Sequence, residues 1–121
     1  MAITARYFKE AEFNRCTPSC SLQDMQQSTM DMLDIAREVA GIPFVLNSAF
    51  RSVEYERMMG RAGTSAHVQG RAADILCRSD ANRWKIMEAA IKVGFKRIGI
   101  DKNFLHLDNS ASHTNCVIWF Y

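Results

Sequence analysis

Two histidines and one aspartate have the types and the spacing of a metal site. His67 and Asp74 lie seven residues apart with Gly70 between them, and His106 lies in a separate apolar run, FLHLD, at residues 104–108. Two imidazoles and one carboxylate form a three-ligand zinc site that leaves a fourth position open, as catalytic zinc requires. Zinc in such a site lowers the pKa of a bound water towards ~7 and polarises a carbonyl group, so the chemistry indicated is hydrolysis.

Each of these residues on its own has a simpler explanation, because a single histidine in an apolar run is more often an ordinary core or surface residue. Their local settings nevertheless favour a common site. His67 falls in or just after a glycine loop and Asp74 on the strand that follows, so a tight turn between them would bring both to one edge. Leu105 and Leu107 would face the core, which leaves His106 on the opposite face of its strand.

The elements that must position these residues follow from periodicity, caps and glycines. Apolar residues at steps of three and four predict a first helix that ends at Gly41, and Ser52 and Ser79 can cap two more. The predicted helices span about residues 24–40, 53–59 and 80–93, the predicted strands span residues 44–46, 72–77, 97–101, 104–108 and 117–120, and residues 1–20 are predicted to be irregular. This order favours an α+β fold in one domain, residues 1–121, with an antiparallel sheet flanked by about three helices.

Length, composition and charge restrict the class of protein. With 121 residues, 48% of them hydrophobic and 23% charged, the chain fits one soluble globular domain. A net charge of +2 gives no clustered basic face, so we expect no nucleic-acid partner. No apolar run approaches the ~20 residues of a membrane span, and the first residues lack the features of a secretory signal. We therefore expect a monomer that is made in the cytoplasm and does not span a membrane.

The four cysteines do not have the spacing of a structural zinc site. Cys16 and Cys20 lie four residues apart, but Cys77 and Cys116 stand alone and supply no second pair. A disulfide between Cys16 and Cys20 stays open, because connectivity cannot be deduced from sequence.

A longer stretch around the first two candidate ligands carries a resemblance to a known family. Residues 65–74, SAHVQGRAAD, read S-x-H-x-x-G-x-A-x-D. This resembles the signature of the zinc D-alanyl-D-alanine peptidases, a group of DD-carboxypeptidases, D,D-dipeptidases and phage endolysins of L-alanyl-D-glutamate specificity. All five fixed positions match at the same spacing. The resemblance extends over nearly the whole chain, through residues 7–16, residues 47–52 (NSAFRS), residues 103–108 (NFLHLD) and the aromatic end at residues 119–121.

The resemblance implies a Hedgehog/DD-peptidase-like fold with His67, Asp74 and His106 as zinc ligands. It also implies that Arg51 binds a carboxylate or carbonyl oxygen of the substrate and assists catalysis by stabilising the oxyanion, a role that suits a guanidinium. Ser65 would bind substrate or orient His67. The ordinary alternatives are a surface salt bridge for Arg51 and a turn-capping hydroxyl for Ser65.

The chain departs from the family at the position of the general base. Many members carry glutamate or aspartate three residues before the last ligand, where this chain has Asn103, and an amide cannot accept a proton from water. Asp108 shares a strand face with His106, so we predict Asp108 as the catalytic base. The same position also suits an acceptor that fixes a ligand imidazole. Asp101 and His113 are the other candidates.

These residues predict a zinc-dependent peptidase that hydrolyses an amide bond in peptidoglycan stem peptides, as a carboxypeptidase or an endopeptidase. Small size and the absence of a visible signal fit a phage-derived lysis enzyme that acts on the cell wall or periplasm after release. The alternative, motivated by Asn103, is a catalytically inactive module that keeps zinc and binds the cell wall or a protein, as Hedgehog domains do. A third hypothesis is a small α+β domain whose histidines bind no metal.

Overall fold

Alternation of apolar and polar residues along short strands builds a single five-stranded sheet. The computed structural model describes residues 1–121. In chain order the elements are α1 (Glu10–Asn14), a 3-10 turn (Leu22–Asp24), α2 (Gln27–Ala40), β1 (Leu46–Ser48), α3 (Val53–Met58), β2 (Ala72–Leu76), α4 (Asp80–Val93), β3 (Arg97–Ile100), β4 (Phe104–Asp108) and β5 (Val117–Phe120). The strand order is β1-β2-β4-β3-β5.

The first four strands of this order pair antiparallel, which confirms the predicted α+β fold. The exception is β5, which joins the edge of the sheet parallel to β3. Each helix falls short of the length and hydrophobicity that a membrane-spanning segment needs.

The core lies between one face of the sheet and the pair of long helices, α2 and α4. Alternate strand residues supply the sheet side of this core because period-2 spacing sends them all to the same face. The helices supply the other side, and the participating side chains are almost completely buried: Ala73, Ile75, Ile98, Leu105 and Leu107 from the strands, and Leu33, Ala36, Ile86, Ala89 and Ala90 from the helices.

The N-terminal segment differs from the prediction that residues 1–20 are irregular. Residues 10–14 form α1, whose start is stabilised by the Glu12 carboxylate accepting the backbone N–H of Lys9 at 2.7 Å. One turn and a half is too short to produce a periodic pattern. The helix predicted from about residue 24 begins at Gln27, because the side chains of Ser21 and Asp24 cap the 3-10 turn instead. All four cysteines are free thiols.

Candidate active site

One row of residues crosses the whole sheet on the face opposite the helices. Ser48, Asp74, His106, Gly99 and Trp119 are cross-strand partners in successive strands. Paired positions in neighbouring strands project their side chains from the same face at about 5 Å spacing. The register therefore brings Asp74 beside His106, while the apolar neighbours of both residues pack into the core.

His67 reaches the same face from the turn that precedes β2. The N–H of Gly70 donates to the His67 carbonyl at 3.2 Å, and Gly70 closes the turn with a φ of +70°. A Cβ at Gly70 would overlap the carbonyl oxygen of Asp24, and the N–H of Gln26 donates to the Gly70 carbonyl at 2.9 Å. Both the positive φ and the close approach require glycine. The turn that carries His67 is thus fixed against the segment before α2.

The three side chains predicted as metal ligands converge on one point. Asp74 Oδ1 lies 2.9 Å from Nδ1 of His106 and 3.3 Å from Nε2 of His67. One ligand atom from each residue lies within 4.8 Å of the others, and all three residues are buried. This spacing is short enough for a single ion to contact all three.

The remaining nitrogen of each imidazole is occupied by an acceptor outside this cluster. Nδ1 of His67 lies 2.6 Å from the carbonyl oxygen of Ala49, and Nε2 of His106 lies 2.6 Å from Oδ2 of Asp108. In the neutral form of each ring, an N–H donated to these acceptors leaves Nε2 of His67 and Nδ1 of His106, the atoms that face Asp74, with lone pairs free for a metal ion. Acceptors of this kind orient metal-binding imidazoles in many proteins.

The charges of the cluster favour a bound cation. Burial alone would raise the pKa of Asp74, but hydrogen bonds and charge from His106 and His67 outweigh it and hold that pKa well below its usual value. Burial alone would lower the pKa of His106, but hydrogen bonds to Asp108 and Asp74 raise it instead. Two ionised carboxylates therefore flank one imidazole, and either a proton or a metal ion balances them.

Asp108 is completely buried and already fully engaged. Arg97 Nε lies 2.9 Å from its Oδ1, the N–H of Ser110 donates to it at 3.0 Å, and His106 occupies Oδ2. Burial would raise the pKa of Asp108, but the hydrogen bonds from His106 and Ser110 and the charge of Arg97 lower it below its usual value. The Arg97 guanidinium also stacks on Trp119 at 4.9 Å.

Arg51 is held on the other side of the cluster by two carboxylates. Its guanidinium donates to Asp74 Oδ2 at 3.2 Å and to Glu56 Oε2 at 3.4 Å, while its Nε donates to the Ser48 hydroxyl at 3.1 Å. The Ser65 hydroxyl donates to the same Glu56 oxygen at 2.9 Å. Glu56 is only 1% exposed, and its Oε1 has no hydrogen-bond partner.

Two of these residues, Glu56 and Arg97, were not predicted from the sequence. Glu56 lies in VEYERM, a short helix in which three charged residues indicate a solvated surface, so no pattern marks it as buried. Arg97 was missed because its place beside Asp108 depends on the register between β3 and β4, which the sequence does not give.

The cluster lies in a cavity of about 340 Å³ that also contains most of the other predicted site residues. Its lining comprises Arg51, Glu56, Arg61, Ser65, Ala66, His67, Asp74, Arg97, Phe104, His106, Asp108, His113, Trp119 and Tyr121. Neither Asn103 nor Asp101 lines it. A Cβ at Gly99 would lie 2.7 Å from Tyr121 and 2.8 Å from Trp119, so glycine at this position lets the aromatic C-terminus cover β3 and form one wall.

Comparison with known proteins assigns the family. The sequence matches the model of the family Peptidase M15 over residues 6–108, which is most of the chain. The chain belongs to the Peptidase M15 family. Peptidases of this family are typically zinc-dependent, in agreement with a three-residue cluster that can hold one ion. No curated protein matches the chain.

The fold of this M15 chain also resembles a solved structure. The crystal structure of the Serratia marcescens L-Ala D-Glu endopeptidase ChiX superposes with a TM-score of 0.55, covering 89% of this chain and 91% of that one at 18% identity. This likeness supports the Hedgehog/DD-peptidase-like fold. The individual roles predicted for Arg51, Ser65 and Asp108 stay predictions, although all three residues lie in the cavity.

Proposed function

We propose that this M15 chain is a zinc-dependent peptidase that hydrolyses an amide bond in the stem peptides of peptidoglycan. The observation that carries the proposal is the convergence of ligand atoms from His67, Asp74 and His106 within 4.8 Å of one another, inside a cavity large enough for part of a peptide. Under this proposal the enzyme acts in the cell wall or periplasm after its release from the cytoplasm.

The donor set suits zinc better than the hard cations. Two imidazole nitrogens and one carboxylate oxygen are typical ligands of catalytic zinc, whereas magnesium and calcium prefer oxygen alone. Three protein ligands also match the number found in catalytic zinc sites. When bound, zinc would supply a Lewis acid and a water molecule with a pKa lowered towards ~7.

The chain's own residues would provide orientation and charge. Arg51 keeps unused N–H groups beside the three that bind Ser48, Asp74 and Glu56, so it can donate to a carbonyl oxygen that gains negative charge during hydrolysis. The Ser65 hydroxyl, held by Glu56, is available as an acceptor for a substrate N–H. Both residues line the cavity.

The contacts of Asp108 favour the role of an acceptor that fixes a ligand imidazole over that of a catalytic base. Its oxygens bind Arg97, Ser110 and His106, so we assign it the role of fixing the His106 imidazole rather than that of removing a proton from water. This role is a positioning one, and the variant Asp108→Asn separates the two possibilities.

By elimination, His113 is the proton carrier that we propose. Among the lining residues outside the ligand cluster, Glu56 is closed off from solvent, and Tyr121 stays protonated at neutral pH because the ordinary pKa of a tyrosine is already ~10. His113 is half-buried, lines the cavity and has its ring held by Ser110, whose Oγ lies 2.6 Å from its Nδ1.

The first bond to test is the one between L-alanine and D-glutamate. ChiX, which shares the fold, is an L-Ala D-Glu endopeptidase. Purified muropeptides should be incubated with the zinc-loaded protein, with and without a chelator, and analysed by mass spectrometry. The same incubation with a D-Ala-D-Ala-ending peptide distinguishes an endopeptidase from a carboxypeptidase.

We expect cleavage that the chelator abolishes and added zinc restores. His67→Ala should lose both activity and stoichiometric zinc while keeping its circular dichroism spectrum. Asn103→Ala is the matched control, because Asn103 lies outside the cavity, and it should retain activity. If the zinc-loaded protein leaves both the muropeptides and the D-Ala-D-Ala-ending peptide uncut, the hydrolase proposal is wrong.

The catalytically inactive alternative rests on Asn103, which replaces an acid at the family's base position. In that case zinc would hold the turn of His67 against the sheet, and the cavity would bind wall peptide without cutting it. Tight binding to isolated sacculi with no released fragments would favour this alternative.

A further inference from the structure

Three arginines line the cavity, and two of them are neutralised by buried acids. Arg51 lies within 3.4 Å of both Asp74 and Glu56, and its side chain is 16% exposed. Arg97 lies 2.9 Å from Asp108, with 15% of its side chain exposed. Their charges are therefore balanced within the protein, and Arg51 has only its remaining free N–H groups to offer a ligand.

Glu56 neutralises the positive charge of Arg51. A glutamate with 1% exposure is costly to bury unless its carboxylate is paired and hydrogen-bonded. Here one oxygen accepts from both Arg51 and Ser65. Asp74 is shared with the ligand cluster, so Glu56 is the carboxylate that balances the charge of Arg51 and leaves it no excess positive charge for a substrate carboxylate.

Arg61 is different, because no acidic group lies within 4.0 Å of its guanidinium. Its backbone N–H donates to the Glu56 carbonyl at 2.9 Å, which fixes the start of this side chain directly after α3. The side chain is exposed, yet it lines the same cavity as the ligand cluster. Arg61 is thus the one cavity arginine whose charge is not compensated by the protein.

We propose that Arg61 selects substrates that carry a free carboxylate beside the scissile bond, and that Arg51 does not perform this selection. The proposal rests on the peptidase function proposed above. A guanidinium binds a carboxylate through two parallel N–H groups and discriminates against the uncharged amide of the same shape. Arg51 keeps the separate role of donating to the carbonyl oxygen of the bond that breaks.

The test uses two synthetic peptides that begin L-Ala-D-Glu and differ in one group. In one peptide the carboxyl group of D-Glu that forms no peptide bond is a free carboxylate, and in the other peptide the same group is an amide. kcat/KM is measured for the zinc-loaded wild type, Arg61→Gln, Arg61→Lys and Arg57→Gln. Arg57 is the matched control, since it is a neighbouring exposed arginine that does not line the cavity.

We expect the wild type to prefer the peptide with the free carboxylate. Arg61→Gln should lose about five- to tenfold in kcat/KM for that peptide only, which is less than the loss for a buried charged pair because Arg61 is exposed. Arg61→Lys should keep part of the preference, and Arg57→Gln all of it. The preference should also shrink as the salt concentration rises from 0.05 to 0.5 M. A preference that survives in Arg61→Gln, or an equal loss for both peptides, would overturn the assignment.

Binding separates this proposal from the proposed function. Calorimetric titration of chelator-treated protein with the same two peptides needs no catalysis. If neither the wild type nor any variant cuts either peptide, hydrolysis of the L-Ala-D-Glu bond is excluded, but a binding preference that disappears in Arg61→Gln still supports carboxylate recognition by Arg61. If both peptides are cut and bound equally well by the wild type, the peptidase proposal stands and the role of Arg61 is wrong.

Discussion

The substitution Asp108→Asn separates the two roles that Asp108 could have. The amide keeps the size of the side chain and can still accept a hydrogen bond from Nε2 of His106, now 2.6 Å from the carboxylate. It removes the negative charge that makes the imidazole a stronger ligand and that pairs with Arg97. If Asp108 only fixes His106, the substitution weakens zinc binding. If Asp108 accepts a proton from water, the substitution lowers kcat even when zinc is bound.

The contacts and burial of Asp108 indicate how large each effect should be. Replacing the outer partner of a metal-binding histidine typically weakens metal affinity or activity by about 10- to 100-fold, which corresponds to about 1.4–2.7 kcal/mol. The substitution also breaks a buried ion pair, since Asp108 is fully buried and Arg97 is 15% exposed, and the expected loss of folding stability is about 3 kcal/mol. By contrast, removal of a general base lowers the catalysed rate by about 10²- to 10⁴-fold.

The assay is a zinc titration against a competing chelator, followed by kinetics at saturating zinc. If Asp108 positions His106, the zinc dissociation constant rises at least tenfold and kcat largely recovers once the site is filled. An unchanged dissociation constant with a kcat that stays a hundredfold low at saturating zinc would refute this reasoning and identify Asp108 as the base. Asp101→Asn is the matched control, because Asp101 is a neighbouring acid outside the cavity, and it should change neither quantity.

Three shorter predictions concern the turn, the proton carrier and pH. Gly70→Ala should lower the free energy of unfolding by at least about 2 kcal/mol, because its φ is +70° and a Cβ has no room, and its zinc content should fall; urea unfolding and metal analysis check this, and wild-type values would contradict it. His113→Asn should lower kcat about 100-fold with normal zinc content, and an unchanged kcat would exclude it as the proton carrier. In metal-free protein the lowered pKa of Asp74 stabilises the fold above ~pH 4, and this contribution to the free energy of unfolding is lost on acidification. The raised pKa of His106 stabilises the fold fully below ~pH 6.5, and that contribution is lost as the pH rises. Urea unfolding should therefore find maximum stability between those values, and a steady rise in stability to pH 8 would contradict it.

Much of the ligand geometry could be predicted because strands have a period of two. Leu105 and Leu107 on either side of His106 indicate which face is buried, and both are completely buried. The pairing register could not be predicted, although it decides that Asp74 and His106 are direct neighbours. Register depends on tertiary packing and on turns, neither of which appears in the alternation of a single strand.

The long helix α4 shows how periodicity can mislead. Trp84 and Ile91 lie at helical spacing and suggest an apolar face, but they are 69% and 57% exposed. The buried face contains Ile86 and two alanines. Alanine contributes little to a hydrophobic pattern, yet its small size permits the close packing of α4 against α2.

Charged residues inside the site could not be recognised for a different reason. Glu56 stands in a run of charged residues, and a charged helical surface is the ordinary interpretation of such a run. Its carboxylate is buried beneath Arg51, which precedes α3, and Ser65, which lies in the loop after α3. These contacts join residues from different segments and leave no trace in the spacing of any one of them.

The arrangement separates the chemistry of the site from its selectivity. Asp74 and His106 project from paired strands whose alternate residues form the core, so a change in their positions disturbs the stability of the whole sheet. Residues 60–65, the first part of the loop between α3 and β2, by contrast carry Arg61 and Ser65 over the cavity and contribute little to the core. Loops of this kind tolerate substitution better than the scaffold beneath them. We therefore expect that exchanging residues 60–65 would change which peptide is bound while leaving zinc affinity within about threefold, since His67 is fixed separately through Gly70 and Ala49.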